Sequence, residues 1–356
     1  MKKVKQLLNR IFIDGLSGMA LGLFATLIVG TIISQIGQTL IGGSLGNKIY
    51  LIGKAASALT GAGIGCGVAY KFKESPLVVL SAAVAGMVGG FASKILAGTF
   101  LSDTGAVVLA GPGEPLGAFI AAYVAIELGH LVSGKTKIDI LFTPVVSIMG
   151  GSTVGLLIGP YISSFMMGIG NIINWGTERR PFLMGVIVAV VMGMVLTLPI
   201  SSAALGIVLG LNGLAAGAAA VGCCANMVGF AVASYRENKT GGLLAQGLGT
   251  SMLQVPNIIK RPIIWLPAIL TSAILGPVST LLFKMTNNAT GSGMGTAGLV
   301  GQIMAYQEMQ PALGTGTALF QIGLMHFVLP AILAFLISEF LRKKGLIKAG
   351  DMKLEL

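Results

Sequence analysis

Charge is scarce in this sequence. Only 10% of its 356 residues are Asp, Glu, Lys or Arg, while 54% are hydrophobic and the mean hydropathy is +0.89. A typical soluble domain carries about 25% charged residues, so an ordinary soluble fold is excluded. Cysteine is nearly absent as well. Cys66, Cys223 and Cys224 stand in Gly/Ala-rich apolar sequence without CxxC or CxxC-His spacing, which excludes a zinc site and a disulfide framework. They read as small packing residues. His130 and His326 are the only histidines, and no metal cluster or nucleophile–base arrangement is visible. No cofactor, metal or catalytic group is therefore expected on this chain, and any chemistry is completed by another protein.

What is present is a series of apolar stretches of about 20 residues, each long enough to cross about 30 Å of hydrocarbon. The 53 glycines and 13 prolines point to close helix contacts and interrupted helices. The fold class is all-α and polytopic. The net charge of +11 comes from short clusters at the ends of apolar spans: Lys2/Lys3/Lys5/Arg10, Lys71/Lys73, Lys135/Lys137, Arg179/Arg180, Arg236/Lys239, Lys260/Arg261 and Arg342/Lys343/Lys344/Lys348. That pattern is topogenic and argues against a nucleic-acid partner. Placing all seven clusters in the cytoplasm predicts spans over 11–34, 53–70, 76–97, 105–132, 138–158, 161–175, 182–199, 203–234, 263–283 and 315–340. This amounts to about ten transmembrane helices with both termini inside. The stretch 203–234 is long enough to be broken. The basic N-terminus reads as the flank of a retained first helix, because Asp14 interrupts the apolar run and no cleavage site follows.

Two segments fit no full crossing. Residues 243–256, which include Gln254, are apolar but short. Residues 288–312 hold Thr290-Gly291-Ser292-Gly293-Met294-Gly295-Thr296 and Gln302. Both suit re-entrant hairpins, which survive only when buried in protein or lining a cavity. The glycine-rich run superficially resembles a phosphate loop, but no Gly-Lys-Ser/Thr follows. A short echo links Gly159-Pro160-Tyr161-Ile162-Ser163-Ser164 to Gly276-Pro277-Val278-Ser279-Thr280-Leu281, as in a duplicated transporter half. The first domain is set at 1–341, with 342–356 as a basic cytoplasmic tail.

The most informative residue is Glu114, in Gly111-Pro112-Gly113-Glu114-Pro115-Leu116-Gly117-Ala118-Phe119, with no other charge between Asp103 and Glu127. A carboxyl at membrane depth costs several kcal/mol unless it faces protein or a wet cavity. It either accepts hydrogen bonds from a polar solute or carries a coupling proton, or it caps a broken helix. His130 lies one turn beyond Glu127, near the cytoplasmic end. His326 is deeper, and either lines a substrate path or bonds a neighbouring carbonyl. Glu308 reads as part of a solvated turn. Asn212, Asn226, Gln246, Gln254, Gln302 and Gln321 are side chains of the kind that hold helices together, and some of them can reach a solute.

The 111–119 run resembles the Gly-x-x-Glu-Pro signature of the sugar-translocating IIC (EIIC) subunits of the bacterial phosphoenolpyruvate-dependent phosphotransferase system. The stretches 143–151, 198–204 and 247–256 are similar to a compact, PfoR-like branch of those proteins. In that family the motif's Glu binds sugar in a re-entrant region, so the resemblance implies that Glu114, flanked by Gly113 and Pro115, accepts sugar hydroxyls. The expected substrate contacts are Glu114, Gly113, Pro115, His326, Gln302, Gln254 and Thr290. The resemblance also implies a plasma-membrane homodimer, a sugar-like small-molecule substrate and separate IIA and IIB partner proteins, the last phosphorylating the solute. An orphan membrane sensor and an ion-coupled secondary transporter are the other readings.

Overall fold

The computed structural model describes residues 6, 8–109, 111–177 and 179–354. Lys2, Lys3 and Lys5 of the first basic cluster, Ala110 beside the Glu-Pro motif and the last two residues of the expected tail lie outside them, as do the side chains of Ser163 and Ala204. Among the described residues no strand forms, and only two isolated antiparallel bridges occur, Leu101 with Val107 and Gly213 with Asn287. The all-α architecture follows from the solvent: in lipid every backbone group must be satisfied within its own segment.

Among the described residues, six helices are long and apolar enough to cross a membrane. They are α1 (Arg10–Gln38), α5 (Pro115–Val132), α6 (Asp139–Thr177), α9 (Gly213–Ala233), α10 (Pro262–Phe283) and α11 (Ala297–Lys343). The pair α2 (Gly43–Ala58) and α3 (Thr60–Lys71), bent by 53°, raises the number to seven. Shorter helices are α4 (Pro76–Gly90), α7 (Pro181–Thr197) and α8 (Ser202–Val208). This is a multi-pass membrane protein.

Several boundaries differ from the sequence-based spans. The two spans expected over 138–158 and 161–175 form the single helix α6, with Pro144 and Pro160 inside it. Each proline removes one backbone donor, but no charged residue, Asn or Asp adjoins Gly159-Pro160, and the helix continues through Tyr161-Ile162-Ser163-Ser164. The span expected from residue 105 begins at Pro115, because 98–109 and 111–113 are non-helical. The 203–234 stretch is broken, at 209–212 between α8 and α9. The turn expected at Tyr306–Pro311 is helical, and the break falls at Gly314, whose φ is 74°. Gly314 supplies the left-handed conformation that the residues around Glu308 do not.

The chain divides into two compact units, Met1–Phe165 and Met166–Glu355. Inside each, glycine sets the helix spacing. In the first unit a Cβ on Gly22 would strike the Gly63 carbonyl, one on Gly61 the Gly86 carbonyl, and one on Gly65 the Ala82 carbonyl. In the second, Gly185 meets Gly276 in the same way, and Gly222 meets Ala189. Lipid provides no hydrophobic force between helices, so this close backbone approach is where their attraction comes from. The second unit also takes in the segment read as a tail. Beyond Lys343 the chain folds back, and Ile347 (2% exposed) and Met352 (0%) are buried beside Phe230, Ile258, Ile264 and Leu341.

Candidate functional site

Glu114 is the residue preceding α5, in extended conformation (φ −97°, ψ 113°), and Pro115 is the first helical residue. Proline is suited there because its missing N–H would have no helical partner and its φ is already helical. Gly113 has φ +75°, and a Cβ on it would come 2.8 Å from the Gly90 carbonyl. The Glu114 N–H donates to that same carbonyl at 2.7 Å. The turn is thus pinned to the end of α4, and the half-buried Glu114 is fixed at the N-terminus of an 18-residue helix. The helix dipole favours a negative charge at that end.

The other end of α5 carries a separate charged cluster. Arg10 Nε lies 3.0 Å from Glu127 and Arg10 Nη2 3.4 Å from Glu74, while His130 Nδ1 lies 3.1 Å from Glu74. The Arg10 guanidinium also sits 4.4 Å from the Phe72 ring centroid. His130 therefore belongs to an ion-pair network a full helix length away from Glu114.

In the second unit Gln302 and His326 meet. Gln302 Nε2 is 3.0 Å from His326 Nδ1 and donates to Cys224 Sγ at 3.3 Å. The two amide hydrogens of Gln302 are used by these contacts, so His326 Nδ1 accepts and its proton resides on Nε2. That Nε2 and the Gln302 Oε1 are both buried and make no hydrogen bond among the described residues. Each keeps unused hydrogen-bonding capacity, a donor on His326 and an acceptor on Gln302, and both groups are neutral. Local backbone makes the arrangement. Gly298 and Leu299 are left-handed (φ 55° and 59°) before the helix that carries Gln302, and His326 lies in a wide π-helical turn, Leu324–Val328. Such turns often accompany functional sites.

The remaining expected contacts are placed elsewhere. Gln254, fully buried, donates to Gln246 Oε1 (2.8 Å) and to the Met352 carbonyl (3.0 Å), and accepts from Asn257 (2.9 Å). Its polar capacity is used by protein. Thr290 is exposed on the short helix Ala289–Ser292, which Asn288 caps by accepting from the Gly291 N–H at 3.0 Å. Of the seven residues, Glu114, Gly113 and Pro115 lie in the first unit and the other four in the second, where only Gln302 and His326 are within hydrogen-bonding distance. The Gly291–Thr296 run is packed rather than open: Gly293 abuts Ser202, which donates to its carbonyl at 2.6 Å, and Gly295 abuts Cys223.

Sequence reasoning singled out Asn226 but missed its partners. Its Oδ1 accepts from Thr197 (3.1 Å) and from the Trp265 indole (2.9 Å), and its Nδ2 donates to Ser272 (3.2 Å). Thr197 in turn pairs with Ser251 at 2.8 Å, tying the 245–254 segment to α7, α9 and α10. Hydroxyls in apolar helices carry no individual signal, and these partners are 29 to 54 residues apart.

Broken helices, glycine-mediated contacts and buried neutral polar groups define the class: a multi-pass α-helical membrane protein with the makings of a solute path. Over residues 13–354 the sequence matches the family described as phosphotransferase system, EIIC. The chain belongs to that family, the permease component of the sugar phosphotransferase system. No curated protein matches it.

Proposed function

We propose that this EIIC protein translocates a sugar or another hydroxylated, uncharged solute and presents it to a separate IIB protein for phosphorylation, with a IIA protein upstream. The observation that carries this reading is the buried Gln302–His326 pair, whose unused donor and acceptor can each bond a solute hydroxyl and repel no neutral solute. Glu114 is proposed as a second hydroxyl acceptor, held in place by the Gly113–Pro115 turn. The interrupted segments 243–256 and 288–312 are proposed as re-entrant elements, of which Gln254 and Thr290 are parts. Both termini are assigned to the cytoplasm from the basic clusters, and a homodimer of the PfoR-like branch is part of the same reading.

The test is a thermal-stability screen of the reconstituted protein against sugars, polyols and sugar acids. A ligand at 100 times its Kd adds about 2.7 kcal/mol to the native state. Stabilisation by a neutral polyol or sugar, lost in Gln302→Leu, is the expected result, and Glu114→Gln tests the Glu114 assignment separately. A sugar acid as the only hit, or a neutral hit untouched by both substitutions, would overturn the site assignment.

A further inference from the structure

Between α9 and α10 the chain is broken into short helical pieces, Tyr235–Leu244, Ala245–Gly249, Ser251–Gln254 and Val255–Lys260. Lys239 sits at φ 52°, ψ −154°, Thr250 is extended (φ −160°, ψ 141°), and Arg261 is non-helical at φ −145°, ψ 80°. A segment with so many breaks has few backbone bonds of its own to resist opening. Its order comes from a relay of side-chain amides. Gln246 donates to Ser234 (2.9 Å), Gln254 to Gln246 (2.8 Å), and Asn257 to Gln254 (2.9 Å). The second amide hydrogen of Gln246 goes to the Gly242 carbonyl (2.9 Å), while those of Gln254 and Asn257 go to C-terminal residues. Asn238 and Gln254 share the Met352 carbonyl at 2.8 and 3.0 Å, and Asn257 holds the Lys353 carbonyl at 2.9 Å. The Leu354 N–H returns to Asn238 Oδ1 at 2.9 Å. Met352 is fully buried, and Asp351 lies 3.6 Å from Arg261.

One stretch of four residues, 351–354, therefore bridges both ends of the irregular segment: Asn238 just before it, and Gln254, Asn257 and Arg261 in its last third. It is bound mainly through its backbone and one apolar anchor, with residues 349–352 in turns closed by Asp351 N–H to the Lys348 carbonyl and Lys353 N–H to the Gly350 carbonyl. We propose that the C-terminal strap is a releasable latch on the 239–261 segment: docked, it holds the segment shut, and lifted, it frees that segment to move while the surrounding helices stay folded. The latch is independent of what the protein transports; its consequence for uptake rests on the permease reading above.

Hydrogen–deuterium exchange on the full chain in lipid nanodiscs tests this. Met352→Asp places a charge in the apolar anchor site and should release the strap. Exchange of amides 245–260 is expected to accelerate about tenfold or more, with α7 and α9 unchanged. Gln254→Leu removes one of the two donors to the Met352 carbonyl and should give a smaller acceleration over the same residues. Lys353→Ala keeps the carbonyl and should change nothing. Unchanged exchange in both Met352→Asp and Gln254→Leu would overturn the proposal. So would acceleration spread over 181–283, or loss of the folded protein, because the strap would then be part of the fold and not a latch. Uptake measured on the same samples separates the two readings: no uptake in any variant sinks the permease reading, while the exchange pattern alone decides whether the strap is a latch.

Discussion

Asn226 offers the sharpest test of how this fold is held. It is fully buried and its side chain joins three helices through Thr197, Trp265 and Ser272. Asn226→Leu keeps the volume and removes every one of those bonds. Two partners have alternatives: Thr197 retains Ser251 at 2.8 Å, and Ser272 retains the Ala268 carbonyl at 2.9 Å. The Trp265 indole loses its acceptor. Interhelical hydrogen bonds inside membranes average about 0.6 kcal/mol, so the three lost bonds set a loss near 2 kcal/mol. A stranded N–H costs about 1–3 kcal/mol more. The expected destabilisation is about 3–5 kcal/mol, read by reversible denaturant unfolding of the reconstituted protein followed by circular dichroism. Trp265→Phe removes the donor together with its bond and strands nothing, so it should cost only about 1 kcal/mol. An Asn226→Leu protein within about 0.5 kcal/mol of wild type, or one equal to Trp265→Phe, would refute the stranded-donor argument.

The remaining predictions concern charge and spacing. Arg342 pairs with Glu237 at 2.9 Å with side chains 10% and 8% exposed, so Arg342→Ala leaves a buried carboxylate and should cost about 3–5 kcal/mol. Arg236 also pairs at 2.9 Å, with Glu339, but is 64% exposed, so Arg236→Ala should cost less than about 1 kcal/mol in the same assay. Equal losses would show that burial does not decide the outcome. Gly65→Val drives a branched side chain into the Ala82 carbonyl and should lower the midpoint of thermal unfolding by several degrees, whereas Gly168→Ala meets nothing within 4 Å and should leave it unchanged or raised.

The parts of the fold that were legible in the sequence are those that hydropathy and local punctuation record. Pro262–Phe283 coincides with the span read at 263–283, and the 203–234 stretch, read as long enough to be broken, is broken, whereas the helix read from residue 105 starts only at Pro115. What failed to show was whatever depends on partners far along the chain. Gly159-Pro160 looks like a boundary, yet no charged residue, Asn or Asp accompanies it and α6 runs through. Lys343–Leu354 reads as a solvated basic tail because its charges are counted singly, yet Met352 is buried and its carbonyl is held by Asn238 and Gln254, 114 and 98 residues away. The candidate site shows the same division. The Gly113–Pro115 turn is local, and its φ and first-turn proline follow from residue type. The pairing of Gln302 with His326 spans 24 residues and depends on two left-handed residues and a π-helical turn that no hydropathy pattern encodes.

Glycine content and buried polarity, read separately in the sequence, are linked in the second unit. A Cβ on Gly193 of α7 would land on Asn226 Nδ2 and on the Gly222 carbonyl of α9. The absence of a side chain at 193 is thus what lets the Asn226 amide lie between helices at all, and the Gly222 carbonyl then accepts from both Asn226 (3.1 Å) and Ser272 (3.3 Å). Gly193→Ala should cost about 1–3 kcal/mol as an overpacked core position. If its effect runs through Asn226, the methyl group displaces an amide that Asn226→Leu has already removed. The double variant should then lose less than the two single losses together, by about 1 kcal/mol or more. Additivity within about 0.5 kcal/mol would mean that the glycine serves backbone approach alone and that the polar network merely occupies the space it leaves.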